Sequence, residues 1–211
     1  MSDATFKPYT RREELANAIS HGLGACLSVA ALAVLIVYAK DGWRMLSFSI
    51  YGGSLILLFL ASTFYHAFRD PRLKQVLKIV DHSAIFVLIA GTYTPLLLVT
   101  LRGVWGWALF TVIWGLATYG VVLKLFARNM SRGFSLALYL GMGWLAVVAI
   151  RPLMQELPIG GIWWLFSGGL CYTVGTLFYV RKQMPYSHAI WHLFVLAGSA
   201  CHFCCMLFYV V

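Results

Sequence analysis

Seven stretches of the chain, 20–39, 46–68, 79–100, 104–123, 133–150, 159–180 and 188–210, are apolar almost throughout. Each is close to the roughly 20 residues an α-helix needs to cross bilayer hydrocarbon. No water is available there to satisfy a backbone N–H or C=O, so runs of this length must pair their polar groups internally, as helices do. The expectation is an all-α integral membrane protein, a single bundle of seven transmembrane helices over residues 20–211. The connections are short, and with 61% hydrophobic and only 11% charged residues the composition lies far outside the range of a soluble domain.

Residues 1–19 read as a separate cytoplasmic segment. Within it, TRREELANAIS forms an amphipathic helix at the membrane surface, with Thr10 as N-cap and Glu13 completing a capping box three residues later. No short cleavable signal precedes the first apolar run, which is expected to act as the insertion signal itself. The net charge of +9 raises the question of a nucleic-acid partner. The basic residues answer it, because they sit in the connections between apolar runs and set orientation instead. With the N-terminus inside, the inner segments hold Lys7, Arg11, Arg12, Arg69, Arg72, Lys74, Lys78, Lys124, Arg128, Arg132, Arg181 and Lys182, and the outer ones only Lys40, Arg44, Arg102 and Arg151. The N-terminus is thus expected inside and the C-terminus outside. All of the cysteines, Cys26, Cys171, Cys201, Cys204 and Cys205, fall in apolar runs and read as small hydrophobes.

That orientation gathers the polar side chains of the spans at one depth. His66 ends the second span, Asp81 and His82 begin the third, His188 begins the seventh, and His21 opens the first, all at the inner face. His188 and His192 are one helical turn apart on one face, as are Ser62 and His66. Three imidazoles from two helices, a carboxylate and a hydroxyl compose the donor set of an open zinc site, with His66, His188 and His192 as ligands and a fourth position for water. Asp81 would orient that water or take its proton, and Ser62 would hydrogen-bond the water or a developing oxyanion. Alternatives remain open. Asp81 can pair with Lys78 one turn earlier. Asn17 and His21 can support the ligands, or Asn17 and Ser20 can simply cap a helix start. His82 points about 100° away from Asp81 and reads as a packing or hydrogen-bonding residue.

Other features concern shape. Pro95 in IAGTYTP cannot donate to the Gly91 carbonyl and should kink the third span, while Gly91 and Thr92 permit close helix approach. Glycines in YGG (51–53), GMG (141–143) and SGG (167–169) are expected at helix contacts. Trp105, Trp107, Trp163 and Trp164 fall near span ends, as interfacial anchors do. Cys201, His202, Cys204 and Cys205 form a weak candidate soft-metal cluster. His202 lies about 15 Å along the helix from His192, too far to share its ion.

NAISHGLG, the SxxxH of STFYHAF, DHSAIFVLIAGTYTP and HAIWH followed by His202, in that order, resemble the bacterial haemolysin III branch of the progestin and adiponectin receptor superfamily, across nearly the whole chain. The resemblance implies a seven-helix bundle with an inward N-terminus in the bacterial plasma membrane. It also implies zinc on His66, His188 and His192, with Asp81 and Ser62 beside a metal-bound water. Through the related alkaline ceramidases it implies hydrolysis of a lipid amide, with a membrane lipid as substrate or ligand. Two other functions fit the same residues. One is a non-enzymatic sensor or homeostasis protein with structural zinc; the other is a cytolytic or ion-conducting protein. The chain departs from the receptors in lacking a large cytoplasmic domain and an exterior insertion.

Overall fold

The computed structural model describes residues 9–126, 131–181 and 183–211, and among them every regular element is helical. In order these are α1 (Arg11–Val37), α2 (Gly42–Ala67), α3 (Pro71–Pro95), α4 (Val104–Phe126), α5 (Arg132–Gly143), α6 (Ile150–Glu156), α7 (Ile159–Val180) and α8 (Ser187–Cys205). A 3-10 turn, Leu145–Ala149, joins α5 to α6, so that Arg132–Glu156 forms one 25-residue rod. Six of the resulting rods are long and apolar enough to cross a membrane, which makes this an integral membrane protein. The remaining one, α7, has 22 residues and is not among those six. Lys7, Arg128 and Lys182, which contribute to the charge asymmetry, lie outside the described residues.

The first boundary differs from expectation. Residues 11–19 do not form a separate surface helix, because α1 runs unbroken from Arg11 to Val37 and the break expected at residue 19 falls inside it. The capping box does form: Thr10 Oγ1 accepts from the Glu13 N–H, and Glu13 Oε2 accepts from the Thr10 N–H at 2.8 Å. What looked like a peripheral polar turn is the first turn of a span, and its Asn17 and His21 are buried.

Small residues set how closely the rods approach. A Cβ on Gly91 would stand 2.2 Å from Ser54 Oγ and 3.4 Å from the Ile50 carbonyl, so α2 and α3 meet where only hydrogen fits. Gly52 does the same against Leu32, and Gly168 against His202. Gly141 and Gly143 are different: nothing lies within 4 Å of a Cβ built on either, so GMG is not a helix contact. It instead precedes the break in the rod, where the Tyr93 hydroxyl donates to the Gly143 carbonyl and accepts from the Ala146 N–H, each at 2.8 Å. One phenol thereby satisfies both sides of the interrupted ladder.

Pro95 lacks the N–H that would continue the ladder. The helix widens directly after it into a π-helical stretch, Leu96–Thr100, closed by Leu101 N–H donating to the Leu96 carbonyl at 2.8 Å. Trp105, Trp107, Trp163 and Trp164 are exposed near the first turns of α4 and α7, suiting interfacial anchors. At the opposite end of the bundle from the histidines, Asp41 caps α2 by accepting from the Arg44 N–H at 2.9 Å and pairs with the Arg44 guanidinium. These contacts hold its carboxyl below the usual carboxylate range. Arg44 Nε and Lys40 Nζ also donate to the carbonyls of Val210 and Val211, tying down the end of the π-helical stretch Met206–Val210 that continues α8.

Candidate metal centre

His66 lies on the last turn of α2, and His188 and His192 on the first turns of α8. One ring nitrogen from each lies within 4.8 Å of the others, so the three can hold a metal ion. The rings pack against one another, His188 and His192 at 4.6 Å between centroids, His66 at 5.0 Å from His188 and 5.2 Å from His192. His66 and His192 are buried at 3% and 1% exposure, and His66 Nε2 has no hydrogen-bond partner among the described residues. A polar atom buried in hydrocarbon without a partner costs free energy unless something else satisfies it. A cation shared with His188 and His192 would do so.

The proton positions follow from the partners. His66 Nδ1 lies 2.6 Å from Glu14 Oε2. A carboxylate only accepts, so Nδ1 carries the proton and donates it, which leaves the Nε2 lone pair for a metal. Glu14 is itself held by Lys74, whose Nζ donates to Oε1 at 2.7 Å. His192 Nδ1 lies 3.1 Å from Ser20 Oγ and 3.2 Å from the Asn17 carbonyl. Ser20 spends its own hydroxyl proton on the same carbonyl, at 2.9 Å, so His192 is the donor there too and its Nε2 is likewise free. Behind these contacts the His21 ring stacks on His192 at 3.5 Å and 9°.

The supporting contacts to His66 and His192 thus come from one face of α1. Glu14, Asn17 and His21 follow helical spacing, and Ser20 lies beside them. Asn17 and His21 contact the candidate ligands, as the first of the alternatives held, and the capping alternative fails because the helix is capped about two turns before Asn17, by Thr10. Glu14 was missed. In sequence it is one carboxylate of a polar turn, and nothing local marks a partner 52 residues away.

The start of α8 is pinned by the same helix. Tyr186 adopts φ 57°, the left-handed region, and its N–H donates to Glu13 Oε1 at 3.0 Å. For a tyrosine this conformation costs on the order of 1–3 kcal/mol and persists only where surroundings impose it. Here it directs Ser187 and His188 into the bundle. Tyr9 packs beside the cluster, its ring 5.2 Å from His188 and 6.1 Å from His66. Burial pushes its phenol well above the ordinary tyrosine pKa, so it stays protonated.

Asp81 and Ser62 face the same space. Both line a cavity of about 240 Å³, with His21, His188 and His192. Asp81 is buried and does not pair with Lys78; its neighbour is His82, whose Nδ1 lies 3.4 Å from Oδ2 while donating to the Lys78 carbonyl at 2.8 Å. Ser62 Oγ is buried with no hydrogen-bond partner among the described residues. Neighbouring hydroxyls bond backward along their helix, Ser54 to the Tyr51 carbonyl and Thr63 to that of Phe59. The Ser62 hydroxyl makes no such bond. Away from this polar end the walls are mostly apolar, including Leu58, Leu88, Leu140 and Val195, until His202 at the far end.

His202 donates from Nε2 to the Leu165 carbonyl at 3.3 Å, and Cys205 Sγ to that of Gly161 at 3.5 Å. Among the described residues the three-histidine set is the metal-capable group, and Cys201, Cys204 and Cys205 belong to none.

A helical membrane protein with three convergent imidazoles, two of which line one end of a cavity, is therefore the class that fold and site define. Residues 9–203 match the family model described as "Haemolysin-III related", and the chain belongs to that family. It is 48% identical over 206 residues to the "Hemolysin-3 homolog" of Bacillus subtilis (strain 168), covering 96% of this chain and 97% of that one. It is 49% identical to "Hemolysin-3" of Bacillus cereus over 203 residues, covering 95% and 93%. A human protein, "Monocyte to macrophage differentiation factor", is 28% identical over 208 residues, covering 96% and 86%, and links the chain to the wider progestin and adiponectin receptor superfamily.

Proposed function

We propose that this is a zinc-dependent membrane hydrolase that cleaves an amide or related acyl bond of a lipid whose tail occupies the cavity. What carries the reading is the position of Asp81, Ser62, His188 and His192 at one polar end of an otherwise apolar cavity. A ligand with a polar head and an apolar tail matches that division. Zinc suits three neutral imidazole donors, and when bound it polarises a carbonyl and acidifies a water. Asp81 accepts a proton in the attacking step. The Ser62 hydroxyl, with no other partner, donates to the substrate oxygen as charge develops on it. The apolar walls hold the tail and keep bulk water from the reacting bond. The chain crosses the bacterial plasma membrane seven times, with the N-terminus and the metal end inside. The excess of Lys and Arg in the connections at that end supports this placement.

A second reading is favoured by the contacts of α1. Since the ligands come from α2 and α8 and their supporting groups from α1, zinc would also staple three helices, as in a non-enzymatic sensor or homeostasis protein. The two separate in one experiment on purified protein. Metal content and turnover of long-chain N-acyl lipids are measured for the unaltered chain, His192→Ala and Asp81→Asn. The hydrolase predicts zinc and turnover in the first, neither in the second, and zinc without turnover in the third. Stoichiometric zinc with no turnover of any lipid amide, and cellular function untouched by Asp81→Asn, would leave only the staple.

A further inference from the structure

The main cavity has a neighbour at the end of the bundle where the histidines lie. A second opening, about 810 Å³, lies between the start of α5 and the end of α7. Leu136 and Tyr179 line both spaces, so the two adjoin. Its rim carries Arg132, in the first turn of α5, and Arg181, which directly follows the last residue of α7. Gln183 lies alongside, and no acidic side chain lines the opening among the described residues. Both arginines are exposed.

We propose that this opening binds the phosphate of an anionic lipid, with Arg132 and Arg181 holding its oxygens and an acyl chain passing Leu136 and Tyr179 into the main cavity. Guanidinium groups suit the task because their planar fork matches phosphate oxygens two at a time. Depth suits it as well, since the arginines stand at the end where basic connections meet the charged lipid surface while the space behind them is apolar. The opening has the two parts that such a lipid requires, in the order that it presents them. The assignment rests on the reading of the cavity as a lipid site, but not on hydrolysis.

The test is equilibrium binding to the purified full chain in detergent, comparing phosphatidic acid with diacylglycerol of the same acyl chains. Phosphatidic acid is expected to bind more tightly, and Arg132→Gln and Arg181→Gln each to weaken it about tenfold, as loss of a charge-assisted hydrogen bond predicts. Diacylglycerol binding should not change in these variants, and Arg102→Gln and Arg151→Gln, at the other end, should change neither lipid. If a glutamine variant melts early, Arg181→Lys serves instead, with a smaller loss. Equal affinity for the two lipids, or phosphatidic acid binding insensitive to both substitutions, overturns the proposal. Inorganic phosphate at millimolar concentration should not displace the lipid; displacement would assign the site to a soluble anion and overturn it too. Binding is read without turnover and should survive metal chelation, so the hydrolase can fail while this site stands.

Discussion

Glu14 on the first turn of α1 and His66 on the last turn of α2 are joined by a 2.6 Å hydrogen bond, and Lys74 at the start of α3 holds the other carboxylate oxygen at 2.7 Å. Three helices are thereby fastened through one side chain, and the His66 ring is fixed with Nε2 toward His188 and His192.

If Glu14 orients this ligand, Glu14→Gln should lower metal affinity about 10- to 100-fold, the usual effect of losing such a partner. Lys74→Met should have a smaller effect, since the carboxylate to imidazole bond remains. Competition with a chromophoric chelator reads both. Unchanged affinity in Glu14→Gln would show that the ring is held by packing alone.

Metal should also stabilise the fold. A ligand at 100 to 1,000 times its Kd adds about 3–4 kcal/mol to the folded state. Chelation should therefore lower the melting temperature of the unaltered protein in detergent, and His192→Ala should start low and no longer respond to chelator. An equal chelator response in His192→Ala would remove that residue from the ligand set.

Asp81 separates chemistry from support. Asp81→Asn keeps the shape of the side chain, so zinc content and melting temperature are expected to stay near those of the unaltered chain. Lipid-amide turnover is expected to fall 10²- to 10⁴-fold, the range for losing a general base. A matching fall in zinc content would place Asp81 among the metal's supports instead.

The contact between α2 and α3 makes a prediction about packing. Gly91→Ala drives a methyl into Ser54 and should cost about 1–3 kcal/mol, the range for overpacking. Ser54→Gly should recover much of that in the double variant. Gly53→Ala, with nothing within 4 Å, should stay within about 0.5 kcal/mol. Equilibrium unfolding in detergent distinguishes the three.

The apolar rods and the grouping of the histidines were legible for the same reason: both are written in local periodicity. Hydropathy marks the rods, and the i, i+4 spacings of His188 with His192 and of Ser62 with His66 set each pair on one face before any tertiary information exists. Glu14 was illegible because its role depends on a contact across 52 residues, and a carboxylate near a chain start ordinarily faces water. The separate helix failed on the same turn, since α1 is continuous from Arg11 and its polar residues Asn17 and His21 are buried against the histidine cluster. At Gly141 and Gly143 small residues suggested a contact, yet they precede a break that depends on Tyr93, some fifty positions earlier. Pro95 announced its distortion locally, through its missing N–H.

The pinning of α8 by α1 has a consequence for biogenesis. Glu13 holds Tyr186, and Asn17 and Ser20 hold His192, so the earliest-synthesised helix waits for the latest. Two of the three imidazoles leave the ribosome only after the other rods have been made. An ion that needs all three imidazoles can be held only once α8 has been made, and a chain truncated before α8 is expected to carry none.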